Sequence, residues 1–156
     1  MEAPSADTLR VAARLQLGVA QAAELVDWAA AERIAGRGDH YLARLADLGG
    51  VVDLDAAIAY FVRAMDEMRV GLPPVADCLR WYGRQLAEAI VLDAIDPFQA
   101  CGLLSRIWLA LDRPDDLAAW GYLDDGLEVD GQTPIAPEEA LDLIKVQAVL
   151  LVGTPA

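Results

Sequence analysis

The sequence is poor in the side chains that carry most chemistry. Its 156 residues hold one histidine, His40, and two cysteines, Cys78 and Cys101. Nucleophilic catalysis of the familiar kind needs a Ser, Cys or Thr beside a base, and a further group to orient that base. His40 would have to fill the base role alone, and its place just after the start of a short helix, next to Tyr41, favours a surface or capping role. Structural zinc is excluded: two cysteines and one histidine, none three or four residues from another, do not make a ligand set. No catalytic residue, metal ligand or cofactor is assigned.

Long apolar runs are missing too. The first residues carry acidic groups and two arginines without the apolar core of a secretory leader. The most apolar stretch, Val146 to Val152, is about a third of the ~20 residues that cross a bilayer, and is expected to be a buried helix end. Glycine arrays that cradle phosphate are absent as well, since Gly49-Gly50 has no lysine after it and no strand before it. Cys78 and Cys101 fall on consecutive antiparallel helices, one roughly 20 Å before the turn and the other less than about 10 Å after it at 1.5 Å rise per residue. A disulfide needs Cα atoms within about 7 Å, so both are expected to be reduced core thiols of a cytoplasmic protein.

What is abundant is helix-forming aliphatic residue and negative charge. Apolar residues make up 56% of the chain, mostly Ala and Leu, while Thr, Phe and Tyr are scarce. No strand pattern or fixed-period repeat survives a pass along the chain. Glycine and proline breaks at Gly18, Gly36 to Gly38, Gly49-Gly50, Gly71 to Pro74, Asp96-Pro97 and Pro114 separate periodic segments. The resulting expectation is an all-α protein, one domain over residues 1–156, built as an irregular bundle of seven to eight short antiparallel helices. Residues 1–5 and 153–156 are expected to be flexible ends. Ser5 or Asp7, Asp53 and Asp96 are the expected helix caps, and Asp39 restarts a short helix. The segment from Asp124 to Thr133 is expected to be a polar loop, because it holds Gly126 and Gly131 and is followed by Pro134.

The formal charge of −13 opposes a nucleic-acid backbone or an anionic membrane as partner. That charge is uneven. From Asp112 to Asp142 ten carboxylates face one cation, Arg113, so nine of the thirteen excess negative charges lie there. Calcium coordination by the Asp124 to Gly131 segment fails on register. With Gly131 as the invariant glycine, the first ligand falls on Gly126 and the closing bidentate Glu on Pro137. Only an adventitious cation site is left in that segment.

Of the four tryptophans, Trp108 shares a stripe with Cys101, Leu104 and Leu111 and reads as core. Trp120 sits with Tyr122 inside a bracket of Asp115, Asp116, Asp124 and Asp125, an aromatic anchor within a carboxylate rim of the kind that suits a basic partner. The competing reading turns Trp120 inward. The expected partner-binding set is Asp115, Asp116, Trp120, Tyr122, Asp124, Asp125, Glu128 and Asp130, acting against a basic protein. Two further expectations compete with it: a small-molecule or catalytic pocket near Trp28, Trp81 and Tyr82, and a structural self-associating protein suggested by the mean hydropathy of +0.30.

The segments LVDWAAAERIAG, IDPFQACGLLSRIWLALDRPDDL and EEALDLIKVQAVLL resemble a group of small bacterial all-helical proteins of uncharacterised function, and similar small acidic proteins often serve as immunity partners of secreted toxins. The resemblance covers about half the chain and rests on structural positions such as Trp28, Asp96 and Pro97. It implies the helical fold and a neutralising, non-catalytic role, and brings no active site with it.

Overall fold

In the computed structural model, residues 1–49, 53–128 and 135–155 are described, the side chains of 127 and 128 excepted. The protein is all-α. In chain order the helices are α1 (Ala6–Gln16), α2 (Ala22–Ile34), α3 (His40–Ala46), α4 (Leu54–Glu67), α5 (Val75–Val91), α6 (Pro97–Ala110), α7 (Ala118–Glu128) and α8 (Pro137–Gly153), with a 3-10 turn at Asp115–Leu117 before α7. The chain divides into two compact units, Met1–Cys78 and Leu79–Ala156, the division falling inside α5.

Local chemistry accounts for most boundaries. Ser5 caps α1, its hydroxyl accepting from Thr8 N, and Asp53 and Asp96 cap α4 and α6 by accepting from Ala56 N and Phe98 N. Pro97 occupies the first turn of α6, where its missing N–H costs nothing. Gly18 and Gly36 follow α1 and α2 in the left-handed region, at φ +67° and +76°. At α3 the cap is not local: Asp39 makes no side-chain capping bond, and the Glu67 carboxylate at the end of α4 accepts from His40 N and Tyr41 N instead.

The first unit packs α1 to α4 around Leu25, Trp28, Leu42, Leu45, Phe61 and Met65. Trp28 meets Phe61 edge-on with ring centroids 4.8 Å apart, the geometry the ring quadrupoles favour. Inside this core runs a polar chain. Trp28 Nε1 donates to Thr8 Oγ1 at 2.9 Å, Thr8 and Ser5 hydroxyls share a hydrogen bond, and Ser5 Oγ donates to Glu32 Oε1. Glu32 is buried and is held by Arg37, whose Nη2 donates to Oε1 at 3.0 Å while Nε makes an ion-pair contact with Oε2 at 2.6 Å, poorly aligned for a hydrogen bond. Trp28, Thr8, Ser5 and Glu32 each gain a hydrogen-bond partner in this way. The N-terminal residues join this unit through Glu2, which exchanges backbone hydrogen bonds with Arg69 O and Gly71 N.

The second unit buries Leu86, Ile90, Leu104, Ile107, Leu117, Trp120, Ile144 and Ala148. Arg84 on α5 donates to the Val152 and Thr154 carbonyls, satisfying the last turn of α8. Lys145 on α8 pairs with Asp93 at 3.6 Å. The C-terminal end of α8 is thereby tied to α5, and the middle of α8 meets Asp93, just beyond the end of α5.

Two sequence expectations are corrected here. The first part of the expected loop is not one: α7 continues through Asp124, Asp125 and Gly126 to Glu128, and the rest of that segment, 129–133, lies outside the described residues. Gly126 costs a helix interior only about 1 kcal/mol, and it is buried beside Ile135, where a larger side chain would crowd. The end of α8 is not buried either, since Val146, Val149 and Leu150 are 54%, 59% and 59% exposed.

Candidate functional site

The acidic stretch begins where α6 ends. The Asp112 and Arg113 amides return to Leu109 O and Trp108 O, and both residues take positive φ, 62° and 58°. Pro114 forbids Arg113 the helical conformation and starts the chain in a new direction. The 3-10 turn then presents Asp115 and Asp116 to solvent while Leu117 turns inward.

Through the 3-10 turn and α7 the apolar residues Leu117, Trp120 and Leu123 recur at three and are all buried. Trp120 is 2% exposed, which corrects its assignment as a surface anchor. The outward aromatic is Tyr122, 70% exposed, with Asp125 three residues on along the same face. Its ring lies 6.3 Å from that of Trp108, and the Arg113 guanidinium lies over the indole at 5.9 Å from its centroid. Residues Gly121 and Trp108 fit face to backbone, because a Cβ at position 121 would overlap the indole ring.

Asp124 points another way. It is half-buried beside Gly102 and Cys101 on α6, and together with burial its charge pushes the Cys101 thiol up to about 12. Asp116 is paired: Arg80 donates to its two oxygens at 2.7 and 3.5 Å, and that hydrogen bond holds the Asp116 carboxyl below its ordinary value. The Glu128 side chain and Asp130 lie outside the described residues. Of the expected set, Asp115, Asp116, Tyr122 and Asp125 are thus exposed, the first two in the turn between α6 and α7 with Asp112 and Arg113, the other two on the outward face of α7. Among the described residues of this corner, Asp116 is the carboxylate engaged in an ion pair.

The other candidates are placed as follows. His40 is exposed and edge-on to Tyr41 at 5.1 Å. Trp28 is in the first unit's core with its N–H already bonded to Thr8, and Trp81 and Tyr82 belong to the second unit. The first unit has a cavity of about 340 Å³ lined by Glu2, Gly36, Arg37, Gly38, Asp39, Glu67 and Met68, a polar surface that none of those aromatics reaches. Cys78 and Cys101 are free and buried. Among the described residues no group of three or more His, Cys, Asp or Glu is placed to hold a metal ion, and no helix is long and apolar enough to cross a membrane. The segment considered for calcium is helical as far as Glu128 and lies outside the described residues beyond it.

No protein-family model, curated protein or solved structure matches this chain. The likeness to small bacterial helical proteins therefore rests on the three quoted segments alone.

Proposed function

We propose that the protein is a non-catalytic binding or neutralising protein that meets a basic protein partner through the exposed acidic corner of α6 and α7. The observation that carries this reading is that Asp112, Asp115 and Asp125 are exposed and without an ion-pair partner among the described residues, on the segment leading into α7 and on the face of α7 that carries the outward Tyr122. Tyrosine supplies rigid contact area at low entropic cost, and a rim of one charge sign steers an oppositely charged surface into register. Asp116, already neutralised by Arg80, contributes structure rather than free charge.

The test is comparative capture of host proteins at low salt on the immobilised chain. The variant D112K/D115K/D125K should lose the basic protein that the unaltered chain retains and releases as salt rises. A control with reversed charges in the first unit, D55K/D66K, should retain it. Equal retention by both variants removes the acidic-corner reading.

A further inference from the structure

We propose that the outward face of α8 is a second contact surface on the same protein, shaped for an amphipathic helix whose cationic residues lie toward its C-terminal end. The proposal deepens the protein-binding reading and rests on it. Ala140, Ile144 and Ala148 form the inward seam of α8, each fully buried. At 100° per residue the opposite side is then occupied by Glu139, Asp142, Val146, Val149 and Leu150, with Leu143 at its margin. Leu143, Val146, Val149 and Leu150 remain 38%, 54%, 59% and 59% exposed. One exposed aliphatic residue needs no explanation, whereas four on two adjacent turns form a patch of roughly a few hundred Å², a size associated with binding sites.

The helix that carries the patch is anchored to the rest of the second unit. Arg84 fixes the C-terminal carbonyls of α8, and the Lys145–Asp93 pair fixes its middle. Along its length the outward face changes character: Glu138, Glu139 and Asp142 are exposed in the N-terminal half, and the aliphatic residues follow in the C-terminal half.

Charge decides among the occupants. A second copy laid parallel sets these carboxylates against themselves, and laid antiparallel sets them against the negative C-terminal end of the facing helix. Lys145, the cation nearest this face, is already paired. An anionic lipid surface is repelled, and membrane-surface helices carry Lys and Arg where α8 carries carboxylates. A cationic amphipathic helix lying antiparallel to α8 satisfies both halves. Its apolar seam covers Val146, Val149 and Leu150, and the basic residues of its last turns, favoured there by its own dipole, reach Asp142, Glu139 and Glu138.

The probe is a labelled synthetic helix of 17 residues, the length of α8, with leucines at helical spacing in its N-terminal half and lysines in its C-terminal half. Fluorescence anisotropy with the full chain should show binding that weakens with salt. V146D/L150D and E138K/E139K/D142K, both confined to exposed positions and checked for helicity by circular dichroism, should each weaken it by about tenfold or more. A probe with the lysines moved to its N-terminal half should bind less tightly. D112K/D115K/D125K should leave probe binding near its original strength while abolishing capture at the acidic corner, so the two surfaces fail separately. The proposal is overturned if the probe does not bind, or if binding ignores both α8 variants. It is also overturned if light scattering over a dilution series finds a dimer that V146D/L150D dissolves, which would make a second copy the occupant.

Discussion

The indole N–H of Trp28 donates to the Thr8 hydroxyl at 2.9 Å, inside a core where both side chains are buried. Replacing Thr8 by Val keeps the shape and removes the acceptor, leaving a buried donor unpaired. The expected loss is about 1–3 kcal/mol, read from urea unfolding. Trp28→Phe in the Thr8→Val background should cost less than it does alone, since the N–H is then already stranded.

Gly121 and Trp108 provide a case in which two known effects oppose. Gly to Ala inside a helix ordinarily gains about 1 kcal/mol. At position 121 the added methyl would overlap the Trp108 ring, and overpacking of this kind costs about 1–3 kcal/mol. Gly121→Ala should therefore lower the unfolding midpoint. Gly102→Ala should raise it, because there the nearest heavy atom, Asp124 Oδ1, is at an ordinary 3.7 Å.

What could be read in the sequence was whatever neighbouring residues determine. Ser5, Asp53 and Asp96 are caps because the N–H they accept lies two or three residues on. The cap of α3 was not legible: Glu67 arrives from another helix, and nothing around Asp39 reports that. Trp120 drew attention by its carboxylate neighbours, although its spacing with Leu117 and Leu123 already placed it inward; the outward aromatic was Tyr122. The C-terminal run of α8 is apolar apart from Gln147, so the sequence offers little polar face to orient it. Packing against α6 and α7 decides that Ala140, Ile144 and Ala148 go in and that Leu143, Val146, Val149 and Leu150 stay out.

Arg80 lowers the Asp116 pKa, and the sign of the consequence follows from that. A carboxyl with a depressed folded pKa contributes stability above its unfolded value, near 3.8, and loses it as pH falls through the folded value. Both side chains are about half exposed, at 46% and 54%, so the pair is worth well under about 1 kcal/mol. Asp116→Asn should lower the urea midpoint slightly at pH 7. The difference from the unaltered protein should shrink once the pH drops below the ordinary carboxylate range.

Cys101 has the opposite sign. Burial, reinforced by the Asp124 charge, pushes its thiol up to about 12 from an ordinary 9.0, and Cys78 is raised by burial alone. The attacking species toward disulfide reagents is the thiolate, so neither cysteine should react with a chromogenic disulfide in the folded chain at pH 8, and both should react promptly in denaturant. A raised thiol pKa also means that the unfolded state releases its proton first. The stabilisation is complete below pH 9.0 and declines as pH rises toward the folded value of about 12. Cys101→Ala should remove part of that alkaline decline in unfolding midpoint. Asp124→Asn should lower the Cys101 pKa without making it reactive at pH 8, because burial, the larger of the two causes, is untouched.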